Sequence, residues 1–403
     1  MPAEALRCRI CEAEYPAVAS GMCVRCFGPL EPVYDWDAIS VTRDDIARGP
    51  RSLWRYAPLL PVVPPVDAAS GPGWTPLVRA PRLAEALGIG EVWLKLDHTN
   101  PTHSFKDRVV AVAAAKAAEL GTDTLACAST GNLGNAVAAR AASSGMRSVV
   151  LYPRTVEPEK LLATAVYGGE MFAVDGSYDD CSRLVVELAG ELDWAFVNVN
   201  LRAYYAEGSK TLAFEVAEQL GWELPDAVVG PIASGSLFTK LWQGFEQLRR
   251  LALVDGELPR LFGGQAEGCS PVAHAFAAEA AVVPVRPDTV AKSLAIGAPA
   301  DGDLAVATAR SSGGAIHAVP EDEVGADMSL LASTTGVFGE TAAGVTVGAL
   351  VAAARAGRLD EDDRVVVLVT GTGLKTPNVV ETRAGREIDA DVDVLLDALG
   401  VAV

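Results

Sequence analysis

Short apolar runs alternate with longer, alanine-rich amphipathic segments along most of the chain. VWLKLD (92–97) predicts a strand, and KDRVVAVAAAKAAELG (106–121) predicts a helix that ends at Gly121. The alternation continues through TLACAS, GNAVAARAASSG, SVVLYP, EKLLATAVYGG, EMFAVD, DDCSRLVVELAGEL and AFVNV, and again up to RVVVLVTGTG. Strands of about five or six residues between helices of roughly ten to fifteen are typical of parallel sheets covered by helices on both faces. The pattern therefore predicts an α/β fold.

Two segments before this region follow a different pattern. Residues 1–35 are mostly polar and carry two Cys-x-x-Cys pairs, CRIC and CVRC. From Pro29 to Pro81 the prolines are clustered, as in PLLPVVPPV (58–66). Such clustering predicts an extended arm that wraps around the body of the protein rather than an element of its core.

Composition limits the classes of function. The chain has 403 residues, of which 50% are hydrophobic and 21% charged, and this fits a globular enzyme of one or two domains. Its net charge of −19 would repel nucleic acid and anionic lipid, so neither is an expected partner. The N-terminus lacks the apolar stretch of a secretory signal, and no long apolar run follows. We therefore expect a cytoplasmic protein.

The cysteines divide into a group and three single residues. Cys8, Cys11, Cys23 and Cys26 have the spacing of a tetrahedral structural zinc site, with no open position for chemistry. Two disulfides or four idle thiols are the alternatives, and a reducing cytosol disfavours the former. Cys127, Cys181 and Cys269 are expected to be small buried apolar residues.

Four loops that follow predicted strands are unusually rich in glycine, hydroxyls and amides. They are NPTHSFKDR (100–108), ASTGNLGN (128–135), GPIASGS (230–236) and TGTGLKTPN (370–378). In open α/β sheets ligands bind outside the carboxyl ends of the strands, where such loops lie. Free backbone N–H groups at a helix start favour an anion. A P-loop motif is absent from the sequence, which disfavours a nucleotide triphosphatase.

Lys106 stands at a predicted helix start, where the helix dipole disfavours a positive charge. This placement lowers the pKa of its amine, and a partly neutral amine can form a Schiff base with an aldehyde. The alternative is an exposed lysine that pairs with Asp107. The aldehyde that requires both a lysine and an anion cradle is pyridoxal 5′-phosphate.

These motifs resemble, in sequence and order, the fold type II pyridoxal-phosphate enzymes and, among them, the threonine synthases. The likeness extends from CRIC through FGPLEPVYDWD, GWTPLVRA and NVNLRAYYAEGSKT to LVTGTGLKT, nearly the whole chain. It implies a tryptophan synthase β-like fold with two mostly parallel-sheet domains, a small N-terminal four-cysteine ribbon and an extended arm. The implied domains are a zinc-ribbon-like segment (1–35), a large cofactor-binding domain (36–105 and 205–385), a small substrate-side domain (106–204) and a C-terminal tail (386–403).

The resemblance also implies roles for individual residues. Lys106 would be the Schiff-base lysine, Phe105 would lie beside the cofactor ring, and Asn132 would bond the cofactor's 3′-oxygen. Thr370 would be the neutral partner of the pyridine nitrogen. The expected donors to the cofactor phosphate are Ala233, Ser234, Gly235 and Ser236. Ser129 and Thr130 resemble the residues that bind a substrate carboxylate.

Two motifs depart from the family pattern. Some members write the phosphate loop as Gly-Asn-Ala-Gly-Asn where this chain has GPIASGS, and THSFK replaces a common Thr-Gly-Ser-Phe-Lys. The second departure places His103 near the lysine. We expect it to be a spacer rather than a residue that contacts substrate, because a lone histidine has no partner for catalysis.

The implied reaction converts O-phosphohomoserine and water into L-threonine and phosphate. Its substrate requires a second anion site, for which NLRAYYAEGSKT offers Arg202, Ser209 and Lys210. The plain alternative is that Arg202 pairs with Glu207. The expected partner is therefore a small molecule, and the expected assembly is a homodimer.

Three other functions remain open. A β-replacement enzyme that makes cysteine or cysteate would need the same Lys106 and Asn132. A threonine or serine dehydratase often has a regulatory C-terminal domain, for which the sequence after Asn378 is too short. A zinc-ribbon binding module with an inactive body is disfavoured by the intact lysine motif and by the acidic charge.

Overall fold

The structure, a computed structural model, describes residue 3 and residues 5–18, 21–380 and 385–400. Its strands are β1 (Ala5–Cys8), β2 (Glu14–Pro16), β3 (Leu30–Val33), β4 (Leu77–Arg79), β5 (Glu91–Leu96), β6 (Thr124–Ala128), β7 (Arg147–Pro153), β8 (Glu170–Val174), β9 (Ala195–Phe196), β10 (Ala227–Pro231), β11 (Arg260–Ala266), β12 (Ala315–Val319) and β13 (Arg364–Val369).

The α-helices alternate with these strands after β4. They are α1 (Arg43–Ala47), α2 (Pro81–Leu87), α3 (Lys106–Glu119), α4 (Asn132–Ser144), α5 (Pro158–Ala165), α6 (Tyr178–Glu191), α7 (Arg202–Glu207), α8 (Lys210–Gln219), α9 (Ser236–Arg250), α10 (Pro271–Ala278), α11 (Gly302–Ser311), α12 (Val324–Thr335), α13 (Thr341–Arg355) and α14 (Val392–Leu399). Among the described residues, no helix is both long enough and apolar enough to cross a membrane.

A six-stranded sheet forms the larger body, in the order β12-β11-β10-β13-β5-β4. Its strands are parallel except for β4, which pairs with β5 in the antiparallel direction. Valines of β13 are fully buried because helices cover both faces of this sheet. The predicted α/β fold is confirmed.

A second, four-stranded sheet has the order β8-β7-β6-β9 and is parallel throughout. Its last strand is shorter than expected: the AFVNV run predicted a strand of five residues, and only Ala195 and Phe196 pair with β6. The chain then turns, since the Asn200 side chain accepts a hydrogen bond from the Phe196 N–H (2.9 Å). A side chain that takes over a backbone donor in this way ends a strand.

The three sheets divide along the chain. The N-terminal antiparallel sheet, β2-β1-β3, lies within residues 1–35, and the strands of the four-stranded sheet lie within 106–204. The six-stranded sheet draws its strands from both sides of that insertion. Residues 401–403 of the predicted C-terminal tail lie outside the described residues, and the domain boundaries themselves stay a prediction.

The proline-rich segment is not the extended arm that the sequence predicts. Leu53–Leu59 forms a 3₁₀ helix that contains Pro58, and Trp54 and Tyr56 are buried in the core. The Arg55 guanidinium donates to both carboxylate oxygens of Glu218, at 2.8 to 3.1 Å. Because apolar residues separate its prolines, this segment gains more by burial than by remaining on the surface. The prediction was wrong for residues 53–62.

A buried ionic network holds the start of α3 against the large sheet. Arg108 donates to Asp97 (2.7 Å) and to Glu215 (2.5 Å), and Lys95 also pairs with Glu215 (2.7 Å). Burial opposes ionisation of Glu215, but Arg108 and Lys95 outweigh it and lower its pKa to about 2. This network fixes the position of the lysine two residues earlier in the chain.

Candidate active site

A cavity of about 320 Å³ lies where the four glycine-rich loops meet. Its volume falls within the range of roughly 300–1,000 Å³ that small-molecule sites occupy. The predicted cofactor and substrate residues that line it are Phe105, Lys106, Ser129, Thr130, Asn132, Arg202, Ser209, Ala233, Ser234, Gly235, Ser236 and Thr370. The structure therefore brings together all of the predicted residues except Lys210.

Lys106 is the first residue of α3 and extends into this cavity. Its Nζ lies 4.7 Å from the centre of the Phe105 ring and 3.3 Å from the Tyr205 hydroxyl. Burial lowers the pKa of Lys106 to about 8, although the Glu340 carboxylate acts in the opposite direction. The amine can thus be neutral near physiological pH, as a nucleophile or base must be.

Asp107 does not pair with Lys106. Its carboxylate is buried and accepts hydrogen bonds from the Thr102 N–H (2.8 Å) and the Thr102 hydroxyl (2.9 Å). Burial raises the pKa of Asp107 to about 6, against the effect of these hydrogen bonds. The alternative of an exposed Lys106–Asp107 pair is therefore wrong.

Backbone hydrogen bonds lock two of these loops to each other and to the residue that precedes α13. The Phe105 N–H donates to the Thr370 carbonyl (2.9 Å), and the Thr372 N–H donates to the His103 carbonyl (3.2 Å). The Glu340 N–H donates to the Gly371 carbonyl (2.9 Å). A shift of any one of these loops would therefore disturb the surroundings of Lys106.

The predicted phosphate loop connects β10 to the N-terminus of α9. Gly235 has φ +90°, and a Cβ atom there would lie 2.6 Å from the Asp301 carbonyl oxygen, so only glycine fits. The first turn of α9, beginning at Ser236, presents backbone N–H groups that have no partner within the helix. This end of the cavity favours an anion for both structural and electrostatic reasons.

Two charged residues that the sequence analysis missed hold Asn132. Its amide nitrogen donates to the Glu340 carboxylate (2.8 and 3.0 Å), and its carbonyl accepts from Lys375 Nζ (2.9 Å). Burial lowers the pKa of Lys375 to about 8, while Glu340 and Asp107 oppose this shift. Lys375 belongs to the TGTGLKT motif, so the sequence could have indicated it as a site residue. Glu340 lies in none of the four glycine-rich loops, and no sequence motif indicated it.

Ser129 and Thr130 line the cavity at the start of α4. The Ser129 hydroxyl accepts from the Gly131 N–H (2.9 Å) and the Gly134 N–H (2.7 Å), so its own proton remains for a ligand. Thr130 is half-buried. Both hydroxyls and the helix N-terminus suit a carboxylate.

The predicted substrate anion residues do not all reach the cavity. Arg202 lines it, and its guanidinium pairs with Asp301 (2.6 Å) rather than with Glu207. Ser209 also lines it. Lys210 is fully buried behind the cavity, where it pairs with Glu207, so its assignment to a substrate site needs correction. The sequence could not tell which face of α8 a lysine at its first position would take.

His103 is exposed and is not among the residues that line the cavity. Its φ of +59° lies in the left-handed region, which a glycine would adopt without strain. The backbone conformation explains why glycine is common there, and the placement agrees with a spacer.

The four N-terminal cysteines converge. Their sulfur atoms lie within 4.8 Å of one another, with Cys8 to Cys26 and Cys11 to Cys23 both at 3.4 Å. A disulfide would require a separation of about 2.05 Å, so these are free thiols. Burial opposes the thiolate of Cys23, yet the Tyr15 hydroxyl and backbone N–H groups lower its pKa to about 6.

Comparisons with known proteins agree with this geometry. Residues 68–371 match the family described as pyridoxal-phosphate dependent enzyme. A threonine synthase of Methanocaldococcus jannaschii is 35% identical over 398 residues, which cover 96% of this chain and 98% of the relative. A threonine synthase of Synechocystis is 36% identical, covering 86% of this chain and 89% of the relative.

Solved structures share the fold at lower identity. Diaminopropionate ammonia lyase from Escherichia coli superposes with a TM-score of 0.65 at 20% identity, covering 76% of this chain and 86% of that one. An L-serine ammonia-lyase from Rhizomucor miehei superposes with a TM-score of 0.63 at 21% identity, covering 74% and 93%. These likenesses show the fold type II architecture alone. Because the family match spans most of the chain and the similar relatives cover nearly all of it, the chain belongs to the threonine synthase family of pyridoxal-phosphate dependent enzymes.

Proposed function

We propose that the protein is a threonine synthase that converts O-phosphohomoserine and water into L-threonine and phosphate. The observation that carries this proposal is a single cavity that is lined by Lys106 and by two groups of residues suited to an anion. One is the loop 233–236 at the start of α9, and the other is formed by Arg202 and Ser209. A phosphorylated cofactor and a phosphorylated substrate together need two such places.

The residues present fit pyridoxal phosphate. Lys106 supplies the amine, the loop 233–236 receives the phosphate group, and Thr370 supplies a neutral hydroxyl for the ring nitrogen. Asn132 would donate to the 3′-oxygen, with its amide orientation set by Glu340 and Lys375. The cofactor, when bound, supplies the electron sink for a carbanion at the substrate's α-carbon.

The protein's own contribution is to place the substrate and to move protons. Ser129, Thr130 and the first turn of α4 would hold the substrate carboxylate, and Arg202 would hold its phosphate. Lys106, as a neutral amine, would take the proton from Cα and assist transfer of a proton from Cβ, so that phosphate leaves Cγ. Cγ would then be protonated, water would add at Cβ, and a proton would return to Cα. The Tyr205 hydroxyl stays protonated because burial raises its pKa, and its oxygen accepts a hydrogen bond from the Lys106 amine and so orients it.

The reaction in deuterated water tests the proposal. Phosphate release from O-phosphohomoserine should produce threonine with deuterium at both the α and γ carbons, because the methyl group is completed by protonation at Cγ. Mass spectrometry and proton NMR of the product measure this. A β-replacement enzyme never changes Cγ. Deuterium at Cα alone, with sulfide or sulfite captured at Cβ of an activated serine, would replace the threonine synthase assignment by the β-replacement alternative.

Arg202→Ala is expected to raise KM for O-phosphohomoserine by about tenfold or more and to change kcat by a smaller factor, because the contact to the phosphate is already made in the bound substrate, before that phosphate leaves Cγ. Steady-state phosphate release measures both constants. Arg154→Ala is the matched control, since Arg154 is exposed and pairs only with the exposed Asp175. A lower kcat at unchanged KM would move the substrate phosphate site to the neighbourhood of Ser209.

We also propose that Cys8, Cys11, Cys23 and Cys26 bind one structural zinc ion. Sulfur atoms 2.3 Å from a common tetrahedral centre would be about 3.8 Å apart, close to the separations here. Changing Cys8 and Cys11 together to serine should remove one zinc per chain, measured by elemental analysis, while absorption of the bound cofactor persists. Cys181→Ser, the control, should keep the metal. Wild-type protein without zinc, or loss of the cofactor in the double variant, would contradict this assignment.

A further inference from the structure

The four-cysteine segment, residues 8–28, reaches the catalytic cavity. Met22 and Phe27, which lie on either side of the Cys23–Cys26 pair, line the cavity together with Arg202 and Tyr178. Neither side chain belongs to the core, since Met22 is 38% and Phe27 is 76% exposed. Two large, exposed apolar side chains that line the same cavity require an explanation other than core packing.

The cysteine turn fixes the direction of these two side chains. The Phe27 N–H donates to the Cys23 carbonyl (2.9 Å), and the Cys23 N–H donates to the Gly28 carbonyl (3.0 Å). Phe27 has φ +58°, which is costly for an aromatic residue and is retained only where the surroundings impose it. The turn that brings the sulfurs together therefore also holds Phe27 at the cavity.

The N-terminal sheet, whose strand β1 ends at Cys8, is anchored to the helix that carries the substrate-side residues. Tyr34, just after β3, donates to Glu207 at the end of α7, and Lys240 bridges Glu207 (2.7 Å) and Glu31 of β3 (3.4 Å). Helix α7 presents Arg202 and Tyr205 to the cavity from its other side. The N-terminal sheet and the substrate anion site are therefore parts of one rigid arrangement.

We propose that the four-cysteine segment forms the substrate-side wall of the active site, with Met22 and Phe27 covering the bound phosphorylated amino acid. This inference rests on the proposed function. Apolar side chains that line the same cavity as Arg202 would exclude water from the anion site and so strengthen the attraction between guanidinium and phosphate. The cofactor's anchoring residues lie on other loops, so the wall acts on substrate binding and not on cofactor binding.

A double variant, Met22→Ala with Phe27→Ala, tests this wall. KM for O-phosphohomoserine should rise about tenfold, with kcat within about threefold and the dissociation constant of pyridoxal phosphate unchanged. Val24→Ala is the control, because Val24 is 75% exposed on the same turn and does not line the cavity. It should behave as wild type. An unchanged KM in the double variant, or an equal change in the control, would overturn the proposal.

A second measurement needs no substrate. Phenylhydrazine, a bulky carbonyl reagent, should remove the cofactor from Lys106 about tenfold faster in the double variant than in wild type. The change in the cofactor's absorbance measures this rate. The rate with hydroxylamine, a small reagent, should differ little between the two proteins. The variant that combines Cys8→Ser with Cys11→Ser should show both the higher KM for O-phosphohomoserine and the faster reaction with phenylhydrazine, because the wall depends on the cysteine turn. Equal phenylhydrazine rates would overturn the wall. Should wild-type enzyme fail to act on O-phosphohomoserine while the phenylhydrazine rates differ, the proposed function fails and the wall stands.

Discussion

Lys106→Ala should lower turnover by about 10⁴-fold, the upper range for loss of a positioned acid–base group, because both the covalent anchor and the base are removed. The visible absorption of the bound cofactor should disappear with it. Borohydride reduction of the wild-type enzyme followed by peptide mapping should find the cofactor on Lys106. Lys116→Ala is the control, since Lys116 lies on the same helix and pairs with Glu119 (3.1 Å).

The pH dependence of cofactor uptake gives a further test of Lys106. Only the neutral amine attacks an aldehyde, and burial lowers the pKa of Lys106 to about 8. The rate at which cofactor-free enzyme takes up pyridoxal phosphate should therefore rise as pH increases towards about 8 and level off above it. Glu340→Gln should move this inflection to lower pH, because Glu340 favours the charged amine. Cofactor found on another lysine would contradict the assignment outright.

Arg108→Met is expected to lower the free energy of unfolding by about 3–5 kcal/mol, because Asp97 would remain buried without its ionic partner and Glu215 would be left with Lys95. Urea denaturation measures the loss. Arg183→Met is the control: Arg183 pairs with Glu187 at 2.8 Å on an exposed helix face, and such pairs contribute at most about 0.5 kcal/mol.

The origin of this loss can be separated from simple truncation. Adding Asp97→Asn to Arg108→Met removes the orphaned charge and leaves the Lys95–Glu215 pair in place, so part of the lost stability should return. If the second change instead lowers the free energy of unfolding further, by as much as it does when made alone, the ionic account of this network is wrong and packing alone explains the effect of Arg108.

The sequence predicts most of the sheet and its catalytic edge because parallel strands bring their carboxyl ends to one place. Lys106 and Thr370 meet because they follow β5 and β13, which are adjacent parallel strands. Asn132 follows β6 of the four-stranded sheet, and its place beside them depends on how the two sheets pack. The pattern could not predict that Trp54 and Tyr56 lie in the core. The clustered prolines indicated an extended segment, although the apolar residues near them are spaced for a 3₁₀ helix. It also could not orient Lys210, because burial of a lysine depends on a partner such as Glu207, only three residues away but effective only in the fold.

Glu340 and Arg202 illustrate the same limit at the site. Glu340 contacts Asn132, which is more than two hundred residues away in the sequence, and no local sequence pattern predicts that contact. Arg202 was predicted correctly as a cavity residue by its motif, but its actual partner, Asp301, is about a hundred positions away. Long-range ion pairs depend on how elements pack, and a single sequence carries little information about them.

The insertion of the four-stranded sheet within the six-stranded one has a consequence for how new specificities arise in such a protein. Ser129, Thr130 and Arg202 lie on one contiguous stretch, 106–204, whereas the loop 233–236 and Thr370 belong to the enclosing body. A single gene segment can therefore diverge without altering the loop 233–236 or Thr370, as long as Lys106 and Asn132 within it are kept. Selection for a different amino-acid substrate can act on this one segment of the chain while the rest of the protein is inherited unchanged.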